Sequence, residues 1–197
     1  MIRRVSLIAL VLAGLIGAAV AGILLTSGVM TERIPSVDIG GPFRLASSKG
    51  GYVDSHDLAG KPYAVFFGFT HCPEVCPTAL YEMSALLERL GDDAKSFRVF
   101  FITVDPERDT AEMMKDYMAN FDPRIEGLVP GLAQLPKLAA DFRVYYAKVP
   151  ISDGGYTMDH TASIFLMDAD GRFAGTLAYG EAADMREAKL RKLLAGR

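Results

Sequence analysis

Cysteine is scarce in this chain: its 197 residues include two, Cys72 and Cys76, and only three histidines, His56, His71 and His160. Two thiols rarely complete a metal site, so a site built on them must borrow side chains from elsewhere. Basic runs are absent, as is any Lys/Arg stripe with interleaved aromatics, which excludes nucleic acid as a partner. Net charge is −3, and Arg3 and Arg4 are the only charged residues in the first thirty, so the remainder is more acidic still. No internal repeat is present, and no cysteine follows the N-terminal apolar run, so lipid attachment at a lipobox is excluded.

What is present begins with that run. Val5 to Leu25 holds Ser6 as its only polar side chain, behind two arginines. As a helix it would extend about 30 Å, the thickness of a bilayer core. Ala19-Val20-Ala21 offers a cleavage pattern, but the run exceeds the usual signal-peptide length of about 7–15 residues. Residues 1–30 are therefore expected to form a single transmembrane anchor, with a cleaved signal sequence as the alternative. In both cases the arginines stay in the cytoplasm and the rest is exported. Residues 31–39 form a tether reaching at most about 30 Å at roughly 3.3 Å per residue, which keeps the domain at 40–197 near the membrane and favours a membrane-bound partner. The expected location is the inner membrane, single-pass, with the C-terminal domain in the periplasm.

From residue 40 onward, turn residues and apolar runs mark out the elements. Phe43–Ala46 and Tyr52–Asp54 flank Ser47-Ser48-Lys49-Gly50-Gly51 as an N-terminal hairpin. Tyr63–Phe69 is a continuous apolar run, the pattern of a strand buried on both faces, and Phe97–Val104 repeats the buried-strand pattern. Between them Leu80, Met83, Leu87 and Leu90 recur at helical spacing, Pro77 suits a first helical position and Gly91 a stop. Asp109 with Glu112 resembles a capping box opening a helix that runs to about Asn120. Leu128-Val129 suggests a brief strand, and 133–142 a helix weakened by Pro136. Val144–Val149 reads as a strand and Pro150–Met158 as a polar loop. Thr161–Met167 and Arg172–Leu177 make a hairpin about Asp168-Ala169-Asp170-Gly171, and Ala182–Leu194 closes the chain as a helix. Strands alternating with helices, then a hairpin and a last helix, predict an α/β fold: a thioredoxin-like mixed sheet flanked by helices. In such sheets functional groups collect beyond the carboxyl ends of the parallel strands, where Cys72, Cys76 and Asp105 all fall.

A thiolate is the active form of cysteine both as nucleophile and as ligand, and a helix N-terminus favours it. Pro73 and Pro77 stiffen the Cys-x-x-x-Cys turn, and either could open the helix, which leaves open which cysteine caps it. A structural disulfide would close so short a loop that it would add little stability. Two thiolates suit Cu(I), Zn(II) or iron–sulfur chemistry. Among candidate third ligands, His71 adjoins Cys72 and can point away from its sulfur, His56 sits in a surface turn, and His160 lies where a polar loop enters a buried strand. Asp159 could orient that histidine or be a solvated acid, and Met158 could be a soft fourth ligand or a packing residue.

Phe67-Gly68-Phe69-Thr70-His71-Cys72-Pro73-Glu74-Val75-Cys76-Pro77, Thr103-Val104-Asp105-Pro106-Glu107-Arg108-Asp109-Thr110, Val144-Tyr145-Tyr146 and Asp159-His160-Thr161 together resemble the Sco/SenC family. The likeness covers nearly all of the exported part, in order. It implies a thioredoxin-like domain on an N-terminal membrane anchor that binds one copper ion, Cu(I) or Cu(II). It also implies a role in assembling the binuclear copper-A centre of cytochrome c oxidase. The partners implied are the copper-A-bearing oxidase subunit and an upstream copper donor or thiol reductant. Carried over residue by residue, the metal ligands are Cys72, Cys76 and His160, with Asp105 in a supporting role. Three functions stand side by side: a copper metallochaperone, a thiol–disulfide oxidoreductase using Cys72 and Cys76, and a redox sensor. The three-residue spacing of the cysteines, and Asp159-His160-Thr161 where a reductase carries a proline, favour the metal over the enzyme.

Overall fold

Alternating apolar runs and amphipathic stretches fold into one compact unit in the computed structural model, which describes residues 38–152 and 154–196. The expected anchor and most of the tether lie outside the described residues. Among those that are described, no helix is long and apolar enough to cross a membrane.

Among the described residues, nine strands and four helices follow in the order β1 (Arg44–Ser47), β2 (Tyr52–Asp54), β3 (Tyr63–Gly68), α1 (Val75–Leu90), β4 (Arg98–Thr103), α2 (Ala111–Met118), β5 (Ile125–Val129), α3 (Leu135–Asp141), β6 (Tyr146–Pro150), β7 (Tyr156–His160), β8 (Ile164–Met167), β9 (Phe173–Leu177) and α4 (Ala183–Leu194). Seven strands form one mixed sheet in the order β2-β1-β5-β4-β3-β8-β9, while β6 and β7 pair only with each other. The central strands β3, β4 and β5 are parallel, and β8 and β1 join them antiparallel. This is the thioredoxin-like mixed α/β arrangement, with β1 and β2 as the N-terminal hairpin.

The sheet is buried on both faces because both are apolar. On one, Phe66 packs against Phe101, Phe101 meets Tyr117 of α2, and Gly68 faces Cys76 of α1. Gly127 of β5 lets α2 approach, since a Cβ there would lie 2.1 Å from Met114 Cγ. On the other, Phe67 contacts Phe142, just after α3, and Phe165 of β8, while Phe43 and Tyr63 meet Phe100. Helix α4 is tied to α1 by Arg186, whose guanidinium grips Glu82.

Several local expectations are corrected. Helix α1 begins at Val75, so Pro77 is the third helical residue, where its missing N–H is still no loss. The cap of that helix is Glu74, not a cysteine, and its side chain makes no capping bond. Thr110, not Asp109, caps α2 by accepting from Met113 N–H at 3.2 Å. Pro136 does not weaken α3 but lies in its first turn. The polar stretch 150–158 is not all loop. Pro150 ends β6 and residues 156–158 begin β7, the two strands pairing from Tyr146↔His160 to Pro150↔Tyr156, and β8 starts only at Ile164. The two arms make their ladder with each other rather than with the main sheet, and apart from Met158 their residues are exposed or half-buried, so alternation is weak.

Candidate metal centre

Strands β3 and β4 end side by side, and the chain leaving each turns over the sheet's carboxyl edge. After β3, the turn carrying Cys72 runs into α1, whose second residue is Cys76. Cys76 is fully buried and Cys72 partly so. With no side chain capping α1, Cys72 Sγ itself accepts a helix amide, from Cys76 N at 3.3 Å. A sulfur placed among free helix amides is stabilised as the anion.

The two thiols share that charge unequally. The Cys76 thiol hydrogen bond is the largest influence on Cys72, and with the amides of Cys76 and Glu74 it outweighs burial and brings the Cys72 pKa down to about 4. Cys76 is driven upward by the same bond and by burial. Partial exposure and the Cys76 amide thus favour the anion at Cys72, while full burial disfavours it at Cys76.

His160 arrives from the other end of the chain, at the last residue of β7. Its Nε2 lies 3.4 Å from Cys76 Sγ and its Nδ1 3.1 Å from the Thr161 carbonyl oxygen. A carbonyl can only accept, so Nδ1 carries the ring proton and Nε2 presents a lone pair to the cysteines. The ring is held edge-on by Phe69 at 5.7 Å and Phe66 at 6.4 Å between centroids.

The ligand atoms of Cys72, Cys76 and His160 all lie within 4.8 Å of one another, and among the described residues no other group of three His, Cys, Asp or Glu side chains is so placed. Metal–thiolate and metal–imidazole bonds of about 2.3 and 2.0 Å need only a small contraction of that triangle. The donor set fits a soft or borderline ion and leaves room for an incoming ligand.

The remaining candidates stand apart. His71 is exposed and turned to Thr70 Oγ1 at 3.0 Å, and His56 lies in a 3-10 turn at 55–58. Asp159 is exposed on the opposite face of β7, while Met158 is buried in the core. Asp105, 1 % exposed, accepts from the Tyr156 hydroxyl at 2.9 Å and from Arg108 Nε.

Asp109 is the site residue that sequence reasoning missed. It is fully buried and accepts from Thr70 N–H (3.0 Å), the Thr70 hydroxyl (2.6 Å) and the Thr103 hydroxyl (2.6 Å), which bolts the cysteine turn to the end of β4. Its neighbours in the chain fit a helix cap as well, so no local signal distinguishes the two roles. Tyr117 was also missed: its hydroxyl is buried with no partner, and burial, then the negative charge of the nearby cysteine pair, push its pKa up.

Beneath the turn, a Cβ on Gly68 would lie 2.4 Å from the Phe101 ring and 2.8 Å from Cys76 Sγ. Gly68→Ala is expected to cost about 1–3 kcal/mol through overpacking, read as a lowered denaturation midpoint. It should also displace Cys76, seen as slower closure of the Cys72–Cys76 disulfide.

A family model described as SCO1/SenC matches residues 31–195 of the chain. The chain is 36% identical over 140 residues to the SCO2-like protein of Rickettsia felis, covering 70% of this chain and 68% of that protein. It is 36% identical over 138 residues to the human mitochondrial SCO1 homolog, covering 68% of this chain and 46% of that longer protein. Among solved structures, Bradyrhizobium japonicum ScoI with copper bound is similar at TM-score 0.73 and 48% identity, over 79% of this chain and 99% of that one. Arabidopsis thaliana ScoI with copper bound is similar at TM-score 0.75 and 32% identity, over 81% and 99% of the two chains. With the family model spanning almost the whole described unit and a relative more than 30% identical across more than two thirds of both chains, this chain belongs to the SCO1/SenC family.

Proposed function

We propose that the chain is a copper metallochaperone, binding one copper ion through Cys72, Cys76 and His160 and delivering it to the copper-A site of cytochrome c oxidase. The observation that carries this is the convergence of two thiols and one imidazole nitrogen within 4.8 Å, with Cys72 and His160 only partly buried. A carrier must release its cargo, and three ligands with an open side permit exchange where a closed four-ligand site would not. The copper-bound relatives from Bradyrhizobium and Arabidopsis support the choice of metal. Residues 1–30 as an inner-membrane anchor and 31–39 as a short tether would hold domain 40–197 in the periplasm beside a membrane-bound client.

Reduced full-length chain is expected to bind Cu(I) one to one against a competing chelator, and the Cys72–Cys76 disulfide form to bind it poorly. Equal binding by the oxidised form would overturn the thiolate ligands. Incubating the copper-loaded chain with an apo copper-A domain tests delivery, and the absence of transfer would overturn it.

A second reading, thiol–disulfide exchange, is favoured by the thiolate at Cys72. Its sulfur would attack a partner disulfide and expel one partner thiolate. Cys76, once deprotonated, would attack Cys72 and expel the other. Two electrons pass to the partner, the chain is left as its disulfide, and an external dithiol must reduce it again. Replacing His160 separates the readings, because only copper binding needs the imidazole.

A further inference from the structure

The His160 hairpin shares no backbone ladder with the seven-stranded sheet. Its hold on the body therefore depends on side chains, and most of the polar ones converge on a single turn, residues 105–109, which follows β4. Arg108 Nε donates to Asp105, and Arg108 Nη1 donates to the Tyr156 carbonyl at 2.9 Å. The guanidinium carbon lies 3.8 Å from the centre of the Tyr156 ring, and the Tyr156 hydroxyl donates to Asp105 at 2.9 Å. From the other arm, Lys148 pairs with Glu107 at 2.5 Å and lies 4.6 Å from the same ring. One aromatic residue of β7 is thus gripped at its carbonyl, its face and its hydroxyl.

The same turn holds the other half of the ligand set, because Asp109 fastens the cysteine turn through Thr70. Arg108 and Asp109 are consecutive: one reaches the histidine strand and the other the cysteine turn. Tyr156 and His160 lie four residues apart on one face of β7, about 13 Å at the usual strand rise, so a shift at the ring is carried along the strand to the imidazole. The clasp is not an obvious stability device. Arg108 Nη2 is buried with no partner, and buried ion pairs seldom improve on apolar packing.

We propose that Arg108 is a positioning residue: by clasping Tyr156 it sets the register of His160 against the cysteines, and so governs the site's affinity for Cu(II) more than for Cu(I). The inference rests on the copper reading above. Cu(I) is satisfied by soft thiolates, whereas Cu(II) prefers nitrogen and a higher ligand count, so a misplaced imidazole weakens Cu(II) selectively. Loss of a residue that orients a ligand costs about 10–100-fold in metal affinity.

The test is a double-mutant cycle in the full-length chain, using Arg108→Met, Tyr156→Phe and His160→Ala, singly and in pairs. Affinities for Cu(II) and Cu(I) are measured against chelators, with the Cu(II) visible spectrum recorded for each. Arg108→Met is expected to weaken Cu(II) about tenfold and change its spectrum, with a smaller effect on Cu(I), and to add no further loss in the His160→Ala background. An equal loss in both backgrounds, or no loss beside intact His160, overturns the proposal. Tyr156→Phe removes only one hydroxyl and decides the matter in the same way should Arg108→Met not fold. His160→Ala alone tests the three-ligand site. If it weakens Cu(II) while neither Arg108→Met nor Tyr156→Phe does, the clasp fails and the copper reading stands; if it leaves Cu(II) unchanged, both fall.

Discussion

Replacing His160 by alanine is expected to raise the dissociation constant for Cu(II) by more than about a hundredfold, since loss of a ligand should exceed the 10–100-fold cost of losing a residue that merely orients one. Nε2 is the only nitrogen of the cluster and faces Cys76 Sγ at 3.4 Å with its lone pair free, because the opposite nitrogen is committed to the Thr161 carbonyl. Cu(I), held by the thiolates, should lose less. Disulfide formation between Cys72 and Cys76 should persist in the variant, because α1 and the turn position both sulfurs without help from β7. Chelator competition with each valence measures the first expectation, and thiol titration after oxidation measures the second. Unchanged affinity for both valences would remove His160 from the site.

Asp109→Ala is expected to have the largest effect on stability, a loss of about 3–5 kcal/mol. The carboxylate is fully buried and takes three donors, from Thr70 N–H and the hydroxyls of Thr70 and Thr103. Removing it strands the Thr103 hydroxyl in a dry interior and unpins the half-buried Thr70 N–H and hydroxyl, at about 1–3 kcal/mol for each donor left without a partner. For a domain of this size a 4 kcal/mol loss corresponds to roughly a 10 °C fall in Tm. Exposed ion pairs such as Arg191–Asp93 offer a contrast, since water screens them and their loss should barely move the midpoint. Asp109→Asn, which keeps the shape and some acceptor capacity, should lose less than the alanine variant. Thermal denaturation of the three proteins decides it, and a loss below 1 kcal/mol for Asp109→Ala would mean the hydroxyls find other partners. Because Thr70 is two residues from Cys72, the alanine variant should also bind copper more weakly.

Much of the architecture was legible because its signals are local. Tyr63–Phe69 and Phe97–Val104 carry the apolar, strand-forming pattern of buried strands, and the structure puts β3 and β4 there at the centre of the sheet. The helical spacing of Leu80, Met83, Leu87 and Leu90 gave α1 its buried face. The turn at Asp168–Gly171 marked the β8–β9 hairpin. Errors came where one local pattern serves two purposes. A proline is tolerated throughout a helix's first turn, so Pro77 could not mark where α1 starts. Asp109 has the spacing of a capping box, and only its burial beneath Thr70 and Thr103 reassigns it. The polar arm before His160 resembled a loop because β6 and β7 rest on side chains rather than on the main sheet.

The sequence by itself determined the thioredoxin-like class, the Cys-x-x-x-Cys turn at a strand-to-helix junction, and the resemblance that singled out His160 among three histidines. Those are properties of short stretches and their order. Tertiary structure decided that His160 meets Cys76, 84 positions earlier, and Cys72, with their ligand atoms inside 4.8 Å. It also decided that the anion is favoured at Cys72 over the fully buried Cys76, and that Asp109 and Arg108 grip the two halves of the site. Each depends on which groups lose water together and which donors then face them, and neither is settled until the strands have paired and the core has closed.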